Sequence, residues 1–255
     1  MSMITSQRHK YILEKVAKKG FVTVSELSDE LNVSTVTIRK DLKVLEERKL
    51  LYKTHGGASV SDPYINDRPV DMKENIEVEQ KDLIARKAAE LIIPNDSIII
   101  ASGTTVLALA KALNPERGLT VLTSAMNVSL ALLRHQNIEV VQLGGSVRKT
   151  SSSVVGHYAE NMLQNFACSK LFLGVDGIDL EFGLTTTNLM EAQLNQQMMK
   201  IAQKVVVIAD ATKFGKKGFG KICDLDKADI IITDKRIPDH FISKIEELGI
   251  QLIIV

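Results

Sequence analysis

The sequence predicts a protein of the α/β class, in which a short helical head precedes a larger domain built on a mostly parallel sheet. Residues 1–58 show the periodicity of amphipathic helices, whereas residues 79–255 alternate apolar runs with helices. The intervening residues 59–78 contain two prolines, many polar side chains and little periodicity. We therefore expect a head domain over 1–58, a linker over 59–78 and a second domain over 79–255.

The composition is that of an ordinary water-soluble globular protein, because 45% of the residues are hydrophobic and 25% are charged. The sequence contains neither an apolar run of about twenty residues nor an apolar signal core near its start. We therefore expect a cytoplasmic protein that does not cross a membrane. Cys168 and Cys223 lie far apart without the spacing of metal ligands, so we expect no metal site.

The formal net charge of +1 conceals an asymmetry between the two ends of the chain. Residues 1–60 carry 11 lysines and arginines against 7 acidic residues, whereas the remainder carries 21 against 24. A basic head on a slightly acidic body favours a head that binds a polyanion. A lysine-rich, solvated surface is the alternative, and the charge alone does not exclude it.

The head is predicted to contain three helices. Residues 6–19 form the first, and Ser25 is expected to cap a short second one. A tight turn at Asn32 follows, and Ser34 caps a third helix over 35–47. Two short helices joined by a turn of three to four residues indicate a helix-turn-helix.

The third helix is amphipathic in a way that favours DNA binding. Ile38, Leu42 and Leu45 share one stripe and are expected to face the core. The first two turns outside that stripe carry cations, hydroxyls and methyl groups. Cations reach phosphates and guanine edges, and hydroxyls or methyls contact other base edges. We expect DNA contacts from Ser34, Thr35, Val36, Thr37, Arg39, Lys40 and Lys43.

A wing is predicted after the third helix. Residues 51–55 alternate as in a strand, and Gly56-Gly57 permits a turn. A hairpin at this place would bring Lys53 and His55 near the DNA backbone. The alternative for His55 is a turn histidine that is hydrogen-bonded locally.

The second domain shows continuous apolar runs separated by helices, which predicts a mostly parallel, doubly wound sheet buried on both faces. Ligands of such sheets bind outside the carboxyl ends of the strands. Strands are predicted at 97–102, 119–124, 138–145, 170–178, 204–211, 229–234 and 250–255. Helices are predicted at 79–92, 104–113, 126–135, 156–166, 188–203 and 238–248.

Four predicted strand ends carry hydroxyls, glycines or a cation. "SGTT" (102–105) joins a strand to a helix, where an anion is attracted, although a plain capped turn is the alternative. "TSAMN" (123–127), "LGG" (143–145) and "DATKFG" (210–215) end three other strands. No Gly-x-Gly-x-x-Gly follows a strand, which disfavours a dinucleotide. We expect no cofactor.

Both parts of the chain resemble the DeoR family of bacterial repressors of sugar metabolism. "VTVSELSDELNVSTVTIRKDLKVLEE" and "HGGA" are similar to the amino-terminal signature of that family, although Lys40 replaces its usual second arginine. "SGTT", "VDGID", "GLTT" and "ADATKFG" resemble its sensor domain along nearly all of 79–235, with Ala101 and Ser124 departing from the pattern. The resemblance implies a winged helix-turn-helix head and a Rossmann-like α/β sensor similar to ribose-5-phosphate isomerase. It also implies a phosphorylated sugar as effector.

We expect the phosphate of the effector at the start of the helix near Thr104, held by backbone amides and hydroxyls. Lys213 would approach from a neighbouring strand end, and the sugar would extend toward Asn127. The predicted effector-binding residues are Ser102, Gly103, Thr104, Thr105, Ser124, Asn127, Gly144, Gly145, Asp176 and Lys213.

An isomerase-like enzyme with a nucleic-acid-binding head is the alternative to a regulator. Such isomerases need a carboxylate base and a cation that stabilises an enediolate. Asp176 and Asp179 remain in this chain, but the lysine and the glycine run that follow in those isomerases are absent. Glu191 is expected to be a solvated or capping carboxylate, so the sequence favours a regulator without enzymatic activity.

Double-stranded operator DNA is the partner that the head predicts. RNA is a distant alternative, because aromatic residues make up only 4% of the chain and no RNA-binding module is recognisable. A single small head makes too few contacts for a specific site, so we expect a homo-oligomer, either a dimer or a tetramer.

Overall fold

The computed structural model describes residues 4–53, 56–59 and 67–255. The chain divides between Tyr64 and Ile65 into two compact units. Within the described ranges, no helix combines the length and the apolar character needed to cross a bilayer.

The first unit is a winged helix-turn-helix. Its helices are α1 (Thr5–Lys19), α2 (Val24–Leu31) and α3 (Thr35–Glu47), and its strands are β1 (Phe21–Thr23), β2 (Tyr52–Lys53) and β3 (Gly57–Ser59). The strands form an antiparallel sheet in the order β1-β3-β2. The three predicted helices and a hairpin are confirmed, and so is the burial of the apolar stripe of α3. Gly57 was predicted in the turn of the hairpin but lies in strand β3. Strand β1 was not predicted.

The predicted cap of α2 was wrong, because Thr23 and not Ser25 begins the helix. The Thr23 hydroxyl accepts a hydrogen bond from the Glu26 amide at 3.0 Å, and the Glu26 carboxylate accepts one from the Thr23 amide at 3.5 Å. This reciprocal capping box needs an acidic or amide residue three positions after the cap. Thr23 has Glu26 there, whereas Ser25 has Ser28.

Gly57 is required by close packing in the wing. A side-chain carbon at this position would lie 1.8 Å from the carbonyl oxygen of Val22, on the paired strand β1. Only glycine allows the two backbones to approach this closely.

The second unit is built on seven parallel strands in the order β15-β14-β12-β9-β4-β5-β6. Its helices are α4 (Val70–Glu74), α5 (Val78–Ala89), α6 (Thr104–Ala112), α7 (Met126–Leu132), α8 (His157–Leu163), α9 (Leu189–Ile201) and α10 (Asp239–Glu247). Its strands are β4 (Ser97–Ile100), β5 (Leu119–Thr123), β6 (Ile138–Gln142), β7 (Ser146–Arg148), β8 (Ser153–Val155), β9 (Cys168–Leu173), β10 (Gly177–Asp179), β11 (Gly183–Thr186), β12 (Ala202–Ile208), β13 (Gly220–Cys223), β14 (Ile230–Thr233) and β15 (Gln251–Ile254). Short 3₁₀ turns occur at Ala211–Lys213 and Leu225–Lys227.

The sheet is buried on both faces, as the continuous apolar runs predict. Ile99, Leu171 and Val207 belong to the core on one face. Ile98, Phe172 and Val206 belong to the core on the other. Alternate residues of each strand therefore serve opposite cores.

The strand order places a topological switch point next to β4. The chain adds β5 and β6 on one side of β4, and then adds β9, β12, β14 and β15 on the other. The loops after β4 and β9 consequently diverge and leave a crevice at the carboxyl ends of these two strands.

Two predicted strands end earlier than expected, and a separate small sheet follows each of them. The strand predicted at 138–145 ends at Gln142, and a hairpin of β7 and β8 follows. The strand predicted at 170–178 is divided into β9 and β10, and β10 pairs in the order β10-β11-β13. Strands of three or four residues carry too little periodicity to be recognised in a sequence.

Part of the predicted linker belongs to the second unit. Helix α4 lies within residues 59–78, and the Val70 amide donates to the carbonyl of Thr150 at 2.7 Å. The Lys81 ammonium donates to the carbonyls of Lys73 at 2.6 Å and Ile76 at 2.5 Å. A five-residue helix held by its neighbours leaves no periodic signal of its own.

Candidate functional site

The surface of α3 that the sequence marks for DNA carries exposed cations. Arg39, Lys40 and Lys43 are exposed, and so are Ser34, Thr35 and Val36. Within the described part of the chain, Arg39 and Lys40 form no ion pair, and Lys43 lies 4.0 Å from Glu47. These cations remain available to a polyanion.

Two of the predicted contact residues also begin the helix. The Ser34 hydroxyl accepts a hydrogen bond from the Thr37 amide at 3.2 Å, and the two hydroxyl oxygens lie 3.0 Å apart. Ser34 therefore caps α3 as predicted, and Thr37 is half-buried beside it.

A buried ion pair, which sequence reasoning missed, ties α3 to α1. The Arg8 guanidinium binds the Asp41 carboxylate through Nε at 2.5 Å and Nη2 at 2.9 Å, and His9 Nε2 lies 3.1 Å from Asp41 Oδ1. Hydrogen bonding to Asp41 raises the pKa of Arg8 above its ordinary value. A signal was present in the sequence, because Asp41 is an acidic residue beside the apolar stripe of Ile38, Leu42 and Leu45.

The wing is attached to the end of α3. The Lys53 amide donates a hydrogen bond to the Glu46 carboxylate at 2.9 Å. This bond holds strand β2 against the last turn of α3. The Lys53 side chain is half-buried. His55, the other predicted wing contact, lies outside the described residues.

A polar pocket occupies the crevice at the switch point of the second unit. Six of the predicted effector-binding residues line it, namely Ser102, Gly103, Thr104, Thr105, Asp176 and Lys213. Eight further residues complete the lining and were not predicted: Val70, Lys73, Ser151, Gly174, Val175, Thr186, Glu191 and Asn195. The loops after β4 and β9 thus meet α4, the start of α9 and the turn after β12.

One wall of the pocket is the amino terminus of α6. Gly103 precedes this helix with φ 131°, a conformation that favours glycine, and no side chain caps the helix. The amides of the first turn have no acceptor within the helix, so they point out of its end. Together with the helix dipole, they create a positive potential at this wall.

Asp176 is fully paired within the protein. Its Oδ1 accepts from the Lys73 ammonium at 3.0 Å, and its Oδ2 accepts from the Thr186 hydroxyl at 3.1 Å and the Thr187 amide at 3.3 Å. Burial alone would raise the pKa of Asp176, but the charges of Lys73 and Lys213 and these hydrogen bonds lower it below its ordinary value. Asp176 is therefore an anionic, well-anchored wall of the pocket.

Glu191 is buried, which corrects the expectation of a solvated or capping carboxylate. Only 6% of the residue is exposed, and its carboxylate accepts from Ser153 at 3.2 Å and from Arg148 at 3.3 Å. Asn188 caps α9 instead, because its side chain accepts from the amides of Met190 and Glu191. Arg148 also binds Asp67, which accepts from Thr187 at 2.9 Å.

Four polar side-chain groups of the lining are unpaired. In the part of the chain that the structure describes, no hydrogen bond or ion pair is made by the Lys213 ammonium, the Asn195 carboxamide or the hydroxyls of Thr104 and Thr105. Thr105 is 6% exposed and Asn195 is 5% exposed. The pocket therefore combines anchored carboxylates with donors that lack a partner.

Four predicted effector residues lie outside this pocket. Ser124 is buried, and its carbonyl accepts from the Val154 amide at 2.8 Å. The Asn127 side chain accepts from the Val128 amide at 2.9 Å. Gly144 and Gly145 are exposed before β7. The β7–β8 hairpin bridges through Ser153 to Ala125, which lies between two of these residues in the sequence.

Two domain families match the chain. Residues 8–63 match the DeoR-like helix-turn-helix domain, and residues 76–235 match the DeoR C terminal sensor domain. The chain belongs to the DeoR family. Its two described sites thus lie in the two domains that this family combines.

Two relatives that align with this chain over nearly their full length are named as repressors. The chain is 37% identical to the putative aga operon transcriptional repressor of Escherichia coli O157:H7, over 98% of this chain and 94% of that protein. It is 30% identical to the glycerol-3-phosphate regulon repressor of Escherichia coli K12, over 98% and 99% of the two chains. The DeoR-family protein described here is a DNA-binding transcriptional regulator and not an enzyme.

Solved structures also align with parts of the chain. Ribose 5 phosphate isomerase A from Neisseria gonorrhoeae aligns with a TM-score of 0.37 and 18% identity over 52% of each chain. A probable sor operon regulator from Shigella flexneri aligns with a TM-score of 0.44 and 12% identity over 71% of this chain and 92% of that one.

Proposed function

We propose that this protein represses a carbohydrate catabolic operon in the cytoplasm and that a phosphorylated sugar controls it. The head binds double-stranded operator DNA, and the pocket at the switch point binds the effector. The names of two relatives, repressors of the aga operon and of the glycerol-3-phosphate regulon, support this choice.

The observation that carries the effector class is the unpaired Lys213 beside the uncapped start of α6. A phosphate dianion needs donors and positive potential, and these two elements supply both. The hydroxyls of Ser102, Thr104 and Thr105 line the same end of the pocket. Each carboxylate of the lining has a cationic partner other than Lys213, because Asp176 pairs with Lys73 and Glu191 pairs with Arg148.

DNA contacts follow from the exposed surface of α3. Arg39, Lys40 and Lys43 approach phosphates and base edges, while Thr35 and Val36, near the start of the helix, enter the major groove. Ser34 and Thr37 hold the start of the helix. Lys53, with His55, contacts the backbone from the wing.

The effector must bind one state of the protein better than another, because only differential affinity shifts an equilibrium. Helix α4 is the element through which this occurs in our proposal. It lines the pocket through Val70 and Lys73, and it is the first described helix after the residues that join the two units. A ligand that competes for Lys73 changes how firmly this segment is held.

Selection of binding sites from random duplexes tests the proposal with the full-length protein. We expect one enriched sequence whose affinity falls when a hexose or pentose phosphate is added, whereas the free sugars have no effect. Selection that enriches no sequence would refute operator recognition. A response to free sugars equal to that of their phosphates would refute the effector class.

We further propose a dimer or tetramer, because paired heads match half-sites about one helical turn apart or multiples of it. Light scattering at micromolar concentration, with and without the selected duplex, measures the assembly. A monomer under both conditions would contradict this.

A further inference from the structure

Asn195 is a buried polar residue without a partner. It lies on α9 one turn after Glu191, so both side chains project from the same face of the helix. Both residues line the pocket, and Asn195 is only 5% exposed. Its carboxamide makes no hydrogen bond with any residue in the described ranges.

The carboxylates near Asn195 and the neighbouring Asn188 all have partners. Glu191 is held by Arg148 and Ser153, Asp176 is held by Lys73 and Thr186, and the nearby Asn188 caps α9. Side chains with so little exposed surface usually have hydrogen-bond partners. The polar atoms of Asn195 are not fully enclosed, so a ligand can reach them from the pocket. A carboxamide that stays unpaired at the wall of an open pocket indicates a group that arrives with a ligand.

The chemistry of the carboxamide restricts that group. It offers two N–H donors and one carbonyl acceptor, whereas the Lys213 ammonium and the amides of α6 only donate. The phosphate dianion of a sugar phosphate carries no hydrogen to donate, so it would use only the N–H donors of the carboxamide. A hydroxyl donates and accepts, and it matches both.

We propose that Asn195 binds a hydroxyl group of the effector and so determines which phosphorylated sugar this regulator recognises. The inference rests on the proposed function, and it divides the pocket into two subsites. Lys213 and the start of α6 bind the phosphate. Asn195 binds the polyol at a separate place, so inorganic phosphate does not reach it.

Calorimetric titration of the full-length protein tests the inference. The probes are a panel of hexose 6-phosphates, pentose 5-phosphates and glycerol 3-phosphate, together with inorganic phosphate. For the tightest-binding sugar phosphate, Asn195→Ala is expected to lower the affinity about 10- to 100-fold. The affinity for inorganic phosphate is expected to change less than about twofold, because that ligand contacts only the other subsite.

Two further variants exclude a trivial explanation. Gln193→Ala removes the same carboxamide from an exposed position of the same helix, and it should leave both affinities unchanged. Asn195→Asp keeps the shape of the side chain but places a second carboxylate one turn from Glu191. It should therefore also lower the affinity for the sugar phosphate. The thermal midpoint of ligand-free Asn195→Ala should not fall, because no hydrogen bond within the protein is lost.

The possible results separate the two proposals. A wild type that binds no member of the panel refutes the effector class itself. A wild type that binds a sugar phosphate, together with an unchanged Asn195→Ala variant, refutes only the role of Asn195. Equal losses for the sugar phosphate and for inorganic phosphate, or a clear drop in the thermal midpoint, would show that Asn195 is structural.

Discussion

The DNA-binding surface and the sensor pocket are built in opposite ways. The cationic surface belongs to a single helix, α3, and its cations are exposed. Within the described ranges, Arg39 and Lys40 form no ion pair, and Lys43 has only a surface pair with Glu47 at 4.0 Å. The pocket gathers residues from α4, the loops after β4 and β9, β11, α9 and the turn after β12. The periodicity of a short sequence predicts a surface that lies on one helix. A pocket depends instead on which distant segments the topology brings together.

Charge is also used differently in the two regions. In the head, the buried charges of Arg8 and Asp41 neutralise each other, and the functional charges lie outside on α3. In the pocket, the paired carboxylates Asp176 and Glu191 lie in the same lining as the unpaired Lys213. Buried charges are therefore structural in the head, and in the pocket they also form the wall that a ligand meets.

The largest effect is expected from breaking the buried pair of the head. Arg8→Met leaves the Asp41 carboxylate without its main partner, and such a change removes about 3–5 kcal/mol of stability. Hydrogen exchange of the full-length protein measures it, because the amides of α1 and α3 should exchange faster while those of the parallel sheet do not.

Lys10→Met is the matched control, since Lys10 is exposed on the same helix and forms only a surface pair with Glu14 at 3.8 Å. The buried pair would have no structural role if the amides of α1 and α3 exchanged as slowly in Arg8→Met as they do in this control.

The second effect concerns the unpaired cation of the pocket. Lys213→Met is expected to remove about 1.5–3 kcal/mol of binding free energy for a sugar phosphate, because a charge-assisted hydrogen bond to the phosphate is lost. Thr104→Val should lose less, about 1 kcal/mol, since a neutral hydroxyl is removed. Calorimetric titration with the phosphorylated and free forms of each sugar measures both.

Lys204→Met serves as the control for this pair of variants. Lys204 is exposed near the amino-terminal end of β12, whereas the pocket lies at the carboxyl ends of the strands. The phosphate site would be misplaced if Lys213→Met bound sugar phosphates as tightly as Lys204→Met.

Features that depend on neighbouring residues could be predicted from the sequence, whereas features that depend on distant segments could not. The caps and stripe of α3 were predictable, because Ser34 and the spacing of Ile38, Leu42 and Leu45 are local signals. The start of α6 was predictable for the same reason, since a strand, a glycine and a helix adjoin in the sequence.

Lys73, Glu191 and Asn195 were not predictable as pocket residues. Lys73 lies in a stretch without periodicity, and its approach to Asp176 spans more than a hundred residues of sequence. Glu191 and Asn195 read as ordinary polar positions of a helix, because the pattern of α9 does not show which face meets the crevice. Gly144 and Gly145 were expected in the pocket because the hairpin of β7 and β8 could not be foreseen.

The third effect separates the helix of the head from its wing. Arg39→Ala is expected to remove about 1–3 kcal/mol of discrimination between the selected duplex and random DNA, because a bidentate base contact is lost. Lys53→Ala should instead weaken both duplexes alike and reduce the salt slope of binding by about one. Fluorescence anisotropy over a series of salt concentrations distinguishes them. If Arg39→Ala lowered the affinity for both duplexes equally, Arg39 would not make a base contact.

The smallest effect is a pH dependence of the head that does not involve its DNA-binding surface. Burial alone would raise the pKa of Glu26, but hydrogen bonds from Lys19 and Lys15 lower it from 4.5 to about 2. Since the folded pKa is the lower one, the charged carboxylate stabilises the head above pH 4.5, and this contribution is lost as the pH falls toward 2.

Glu26→Gln isolates this contribution, because glutamine preserves the capping box with Thr23 and removes only the charge. Water screens the partly exposed pair, so we expect the wild-type head to be more stable by about 1 kcal/mol or less at pH 6. The difference should vanish near pH 2. Hydrogen exchange of α2 in the full-length protein, corrected for the intrinsic rate at each pH, measures the two variants. A difference that stayed constant from pH 6 to pH 2 would assign the effect to packing and not to the charge of Glu26.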